Sequence, residues 1–170
     1  MANRNAPFSF RFLRMDHGVA APAAISVLLG SNVGVKPGDP IYIDTNGVGQ
    51  RCTVTNPIWA FADETIVAVA ATRQSAHCLP ALEDAVWLVQ ATGTTNVTQA
   101  FYGKFIRYDA GTSGIAGVAA STTGTQAEVA TLAPFRIVGF HRTPDNAIST
   151  YALLEVKVAR SQYAGHADVV

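Results

Sequence analysis

The sequence predicts an all-β fold: an antiparallel barrel or sandwich of about seven or eight short strands, with little helix. Three observations predict it. Short apolar runs rich in β-branched and aromatic residues recur along the chain. Turn signals such as Asn46-Gly47 and Thr143-Pro144-Asp145-Asn146 separate them. The clearest run, residues 151–160, alternates apolar and polar side chains with the period of a half-buried strand.

Residues 1–17 are predicted to form an extended N-terminal arm. The first residues are polar and turn-prone, and Pro7 disfavours helix before it. Phe8, Phe10 and Phe12 then alternate with polar side chains, which predicts a strand with one apolar face. Such a strand could pack on its own core, or it could add to the edge of a neighbour's sheet.

Residues 18–160 are predicted to form a single β-rich domain. Its expected strands are residues 41–43, 51–55, 65–71, 86–90, 100–108, 135–140 and 151–160. The run at 65–71 is apolar on both faces, so a short buried helix is the alternative, and its β-branched residues favour a strand. Residues 92–98 and 110–124 are expected to be loops, residues 128–132 a helical turn, and residues 161–170 a C-terminal tail.

The charge composition predicts that much of the surface lies against partners. Lys plus Arg and Asp plus Glu both number 12, and charged residues make up 14% of the chain against a typical ~25%. A surface with zero net charge and few charges promotes association. Arg outnumbers Lys nine to three, as at interfaces, although a merely Ala- and Thr-rich protein is the plain alternative. Zero net charge argues against nucleic-acid binding, and no run reaches the ~20 apolar residues of a membrane helix.

No motif in the sequence supplies a reaction class. The candidate features are the glycines at 47 and 49, the scattered ligand types His17, Cys52, His77 and Cys78, the loop 111–114, and the paired acids 63–64 and 83–84. None has the spacing of a dinucleotide loop, a zinc site, a nucleophile elbow or a glycosidase pair. The sequence therefore predicts no enzyme, cofactor, metal or small-molecule substrate, and a hydrolase centre around His77 and Cys78 stays as an alternative.

The aromatic residues divide into expected core and expected interface. Trp59, Phe61 and Trp87 are expected in the core, and the two cysteines are expected to be reduced. Aromatic and arginine side chains dominate contact hot spots. The residues predicted to contact a partner protein or a sister subunit are Arg4, Phe8, Phe10, Arg11, Phe12, Arg14 and Tyr163.

Two stretches of the chain resemble a known group of proteins. The opening residues 1–11, Met-Ala-Asn-Arg-Asn-Ala-Pro-Phe-Ser-Phe-Arg, resemble the start of small virion structural proteins of tailed bacteriophages. Residues 135–148, Phe-Arg-Ile-Val-Gly-Phe-His-Arg-Thr-Pro-Asp-Asn-Ala-Ile, followed by Leu-Glu-Val-Lys-Val at 154–158, are similar to their closing strands. Residues 38–41 and 121–124 fall in the expected order between them, whereas residues 56–100 depart most from the group.

This resemblance implies a capsid decoration or cement protein, located on the virion surface after assembly in the bacterial host cytoplasm. Its implied partner is the major capsid protein, and it implies a homo-oligomer, with a trimer favoured. It brings no catalytic residues with it. Deletion of residues 1–14 is then expected to leave a folded protein that no longer binds shells. A host-surface or glycan-binding head protein is the alternative.

Overall fold

The computed structural model describes residues 9–18, 20–53, 56–91, 97–109, 117–119 and 133–163 of the chain. In these ranges the chain forms eleven strands and two short 3-10 helices. The strands are β1 (Arg11–Met15), β2 (Ile25–Leu28), β3 (Pro40–Ile43), β4 (Gly49–Arg51), β5 (Ala60–Ala62), β6 (Ser75–Pro80), β7 (Ala85–Gln90), β8 (Phe105–Asp109), β9 (Gly117–Ala119), β10 (Phe135–Phe140) and β11 (Leu153–Val158). The 3-10 helices span Asp16–Gly18 and Gln99–Phe101.

The strands form two antiparallel sheets. The six-stranded sheet has the order β1-β7-β11-β10-β8-β9, and the five-stranded sheet has the order β2-β6-β5-β3-β4. A single bridge between Leu29 and Gly49 joins the edge strands of the five-stranded sheet at one end, without a ladder. Neither sheet closes into a barrel, so the predicted all-β class is confirmed and the architecture is a sandwich.

Several predicted elements are confirmed. The turn around Asn46 joins β3 to β4, and the Asp44 carboxylate accepts the Asn46 N–H at 2.8 Å and the Val48 N–H at 3.2 Å. Gly47 has φ of +73°, the left-handed conformation that favours glycine at this position. In β11 the even-numbered residues 154, 156 and 158 are buried and the odd-numbered ones are half-buried, as the alternation predicts.

The predicted strand at 65–71 is wrong. Ile66 forms an isolated bridge with Val35, and the residues that follow lie exposed, with Val67 74% accessible. The strand of this region is β6, which buries Ala76, Cys78 and Pro80. These small side chains alternate with Ser75 and His77 and give little hydropathy contrast, so the apolar run at 65–71 dominates the pattern.

Two hydrophobic clusters stabilise the sandwich. The larger one lies between the sheets and includes Phe61 and Trp87, whose ring centroids are 3.9 Å apart. The smaller one belongs to the five-stranded sheet and includes Val27, Ile41 and Cys78. Phe61 and Trp87 are thus confirmed as core residues, whereas Trp59 is half-buried. Cys52 and Cys78 are free, buried thiols.

Both predicted end segments contribute to the body of the sandwich. Residues 11–15 form β1, which pairs with β7 from Arg11↔Leu88 to Met15↔Ala85, so the strand lies in the chain's own sheet. At the other end, Ser161 is buried, and its hydroxyl donates to the Ala81 carbonyl at 2.8 Å. The part of the expected arm from residue 9 onward and the first residues of the expected tail therefore pack on the body.

Candidate interaction surfaces

The predicted interface residues fall into different environments. Arg4 and Phe8 lie outside the described residues. Phe10 is only 3% exposed and lies in the larger core, with its ring 4.4 Å from Phe135 and 5.1 Å from Phe61. The prediction of Phe10 as a surface contact is therefore wrong, because its side chain is enclosed by its own chain. Phe12 is half-buried and packs edge-to-face on Trp87 at 5.7 Å.

Arg14 belongs to an ionic network on the outer face of the six-stranded sheet. Its guanidinium donates to the Glu155 carboxylate at 2.7 Å, and His141 Nδ1 lies 3.2 Å from the other oxygen of that carboxylate. On the same face, Lys157 Nζ contacts Asp16 at 2.7 Å and Asp84 at 4.0 Å. We call this set, residues 14, 16, 84, 141, 155 and 157, the charged face.

Hydrogen bonds lower the pKa values of two acids of the charged face. Burial acts to raise the pKa of Glu155, but the hydrogen bonds from Arg14 and His141 outweigh it, and the pKa lies below its usual value of 4.5. The hydrogen bond from Lys157 lowers the pKa of Asp16. Both carboxylates are therefore ionised at neutral pH. The outer face of this sheet thus presents charged groups that favour contact with solvent.

Two β-bulges shape the surroundings of Glu155. The β1–β7 register shifts between Phe12 and Arg14, and the β10–β11 register shifts between Ile137 and Gly139. Bulges redirect the residues that follow them. Gly139 lies opposite Glu155, where a Cβ atom would come 3.1 Å from a carboxylate oxygen. The spacing of these residues in the sequence gives no signal for this site, because a bulge breaks the two-residue period.

The five-stranded sheet carries a surface without charged side chains. Residues 25–35 and 66–75 run antiparallel to each other, with the Asn32 N–H donating to Val69 O at 3.1 Å and the Val35 N–H to Ile66 O at 3.0 Å. Neither residues 18–35 nor residues 65–72 contain Asp, Glu, Lys or Arg. We call residues 25–35 and 65–72 the uncharged ribbon.

The uncharged ribbon exposes large apolar side chains to solvent. Val67 is 74% exposed, and Val69 and Leu28 are each 44% exposed. These are three of the six exposed large hydrophobic residues among those that the structure describes. Exposed apolar side chains concentrated in a stretch without charge favour an interaction site. Sequence reasoning missed this surface because it assigned the apolar run at 65–71 to the core; the absence of charge in both segments was the available signal.

Tyr163, the remaining predicted contact, forms part of an aromatic pair at the end of the described chain. Its ring stacks on Trp59 with centroids 4.0 Å apart, and it remains 38% exposed. Burial raises its pKa above the usual value of 10.0. The neighbouring Gln162 fixes the segment, since its side-chain amide accepts the Ile43 N–H at 2.7 Å and donates to the Ile43 carbonyl at 3.0 Å.

The residues considered for a hydrolase centre do not converge. His77 is exposed and Cys78 is fully buried, because successive residues of β6 point to opposite faces. Burial raises the pKa of Cys78 to about 12, which leaves the thiol protonated at neutral pH. Over the described ranges, no group of three or more His, Cys, Asp or Glu residues could hold a metal ion. Nor does a helix in these ranges have the length and apolar character to cross a membrane.

Comparison of the chain with protein-family models, with curated proteins and with solved structures gives no match.

Proposed function

We propose that this chain is a virion structural protein of a tailed bacteriophage, which binds the outer surface of the capsid and stabilises the shell by bridging major capsid protein subunits. The observation that carries the proposal is the uncharged ribbon, which presents Val67 and Val69 to solvent without a charged residue between positions 65 and 72. Exposed apolar surface of this kind favours a subunit that is covered in its working state.

The distribution of charge supports an orientation on the shell. The charged face belongs to the six-stranded sheet and the uncharged ribbon to the five-stranded sheet, so the two surfaces lie on different layers of the sandwich. A subunit bound to a shell has one side in water and another against protein. We therefore place the uncharged ribbon against the capsid and the charged face toward solvent.

The proposed mechanism depends on repetition. Each subunit adds the free energy of its contacts at every copy along the shell, and linked contacts to several capsid subunits multiply modest affinities. A standard interface buries roughly 1,600 Å² in total, to which the ribbon would contribute. The resemblance of residues 1–11 and 135–148 to virion proteins favours this class of function over other association partners.

A binding assay with matched substitutions tests the proposal. Val69→Asp and Ile148→Asp introduce the same charge at residues that are 44% and 45% exposed, the first on the ribbon and the second on the connection between β10 and β11. We expect the wild type and Ile148→Asp to co-sediment with shells of the virus that encodes the chain, and Val69→Asp to bind at least tenfold more weakly. Equal binding of both variants contradicts the ribbon as the contact, and a wild type that binds no shell contradicts the function.

A glycan-binding head protein remains the second candidate, supported by one observation. The stacked Trp59–Tyr163 pair offers an exposed aromatic surface of the kind on which a sugar ring can pack. A glycan array that gives hits with the wild type and loses them with Tyr163→Ala would favour this function.

A further inference from the structure

We propose that the open edge of β2 pairs with the same edge of a second copy of the chain, so that the two five-stranded sheets join across a two-fold axis near Ser26. This inference concerns contacts between copies and does not rest on the proposed function.

The hydrogen-bond pattern shows which backbone groups of β2 face outward. The Leu29 N–H donates to Gln74 O at 2.8 Å, and Val27 and Ile25 occupy equivalent positions two and four residues away in the same β2–β6 register. Pairs that exchange hydrogen bonds alternate with pairs that do not in an antiparallel ladder. Ser26 therefore directs its N–H and C=O away from β6, and Leu28 directs its N–H the same way.

The next residue of this alternation confirms the direction. Gly30 N–H, which follows Leu28 by two positions, donates across the open side to Gly49 O at 2.9 Å. That bond occupies the edge beyond Leu28, and Pro22 lacks an N–H at the other end. The edge left without a strand partner among the described residues is thus short, from Ala24 to Leu28.

The edge strands β1 and β2 differ in the features that prevent pairing with a strand of another chain. β1, at the edge of the six-stranded sheet, has a bulge after Phe12 and exposed arginines at positions 11 and 14. Bulges and charges are the usual means by which edge strands avoid pairing with another chain. β2 pairs with β6 without a register shift, and residues 18–35 carry no charge, so its edge lacks both safeguards.

A second copy fits this edge because the segment is self-complementary. In an antiparallel register centred on Ser26, the two Ser26 residues exchange N–H···O=C bonds, and each Leu28 N–H meets the Ala24 carbonyl of the other copy. Side chains 24, 26 and 28 lie on the exposed side of the strand, where they place Leu28 across from Ala24 and Ser26 across from itself. No like charges oppose each other in this arrangement, and a two-fold interface of this kind closes as a dimer, in contrast to the trimer that the resemblance implies.

Cysteine cross-linking of the full chain tests the register. Cα atoms of a hydrogen-bonded antiparallel pair lie about 5.5 Å apart, within the range that a disulfide spans. We expect Ser26→Cys to form a covalent dimer under mild oxidation. Ser75→Cys, an exposed serine of β6 away from the open edge, is the matched control and should stay monomeric on a non-reducing gel. The native Cys52 and Cys78 are buried and should not interfere.

Sedimentation analysis of charge variants supplies a second readout. We expect the wild type to be a dimer, Ser26→Lys to raise the dimer dissociation constant at least tenfold because two lysines face each other, and Ser75→Lys to leave it unchanged. A monomeric or trimeric wild type, or equal cross-linking of the two cysteine variants, would overturn the inference. A dimer that fails to bind shells would count against the proposed function and leave the pairing of β2 intact.

Discussion

At the scale of single residues, Phe10 joins the N-terminal segment to the hydrophobic cluster between the sheets. It is enclosed by Phe61, Tyr108 and Phe135, so its removal leaves a cavity between the sheets. We expect Phe10→Ala to lower the free energy of unfolding by about 3–5 kcal/mol. Phe12→Ala, at a half-buried position on the same strand, should cost less. Urea denaturation of both variants checks the order, and equal losses would show that Phe10 is not enclosed.

Glu155 should make the stability of the protein depend on pH. Its pKa is lowered in the folded state, so its stabilising contribution is present above the usual value of 4.5 and is lost as the pH falls through the folded-state pKa. We expect Glu155→Gln to lower the free energy of unfolding by about 1 kcal/mol at pH 7. This difference from the wild type should shrink below pH 4.5. Urea denaturation across this pH range measures it.

A second variant isolates the cause of that pH dependence. In an Arg14→Ala background the 2.7 Å hydrogen bond to Glu155 is absent, so the cost of Glu155→Gln should fall. An undiminished cost in this double-mutant cycle would mean that Arg14 does not stabilise the ionised carboxylate.

At the scale of elements, the N-terminal segment has two parts with different expected effects. Deletion of residues 1–14, which the sequence suggests is harmless to folding, also removes Phe10 and most of β1. We expect removal of residues 9–14 in addition to 1–8 to lower the free energy of unfolding by several kcal/mol, because it deletes a core side chain and most of a strand of the six-stranded sheet. Thermal melts of the two truncated proteins, Δ1–8 and Δ1–14, give the difference. Indistinguishable melting temperatures would show that β1 adds nothing to the fold.

The segment after β11 should stabilise the contact between the two sheets through hydrogen bonds. Gln162 bonds both backbone groups of Ile43, and the Ile58 N–H donates to Arg160 O at 2.7 Å. We expect Gln162→Ala to lower the free energy of unfolding by about 1–3 kcal/mol, since it leaves two half-buried backbone groups without partners. Gln99→Ala, at an exposed residue of a 3-10 helix, is the control and should have little effect in the same denaturation experiment.

The sequence predicts some of these elements well and others poorly, for physical reasons. β7 and β10 carry bulky β-branched and aromatic residues, and β11 alternates buried and half-buried positions, so their existence follows from the local sequence. β5, with Ala60-Phe61-Ala62, and β6 consist mainly of small residues, whose strand pairing is decided by neighbours far along the chain. The same holds for the candidate surfaces. Arg14 could be selected from composition, but its partner Glu155 lies 141 residues away.

At the scale of the whole molecule, the two buried thiols report on the two hydrophobic clusters separately. Cys52 belongs to the cluster between the sheets and Cys78 to the cluster of the five-stranded sheet, and burial raises the pKa of both. If the sandwich unfolds as one cooperative unit, both thiols should react with a thiol reagent at the same slow rate, set by global unfolding. Mass spectrometry of labelled peptides measures the two rates. Faster labelling of Cys78 would show that the five-stranded sheet opens by itself.

The strand order has a consequence for synthesis on the ribosome. β7 lies between β1 and β11, which are the first and last strands of the described chain. While translation proceeds, β7 can acquire its first neighbour early, but its second becomes available only after Val158 has emerged from the exit tunnel. Until then β7, with its apolar residues, keeps one edge without a strand, and an unpaired strand edge of this kind favours aggregation of nascent chains on a polysome.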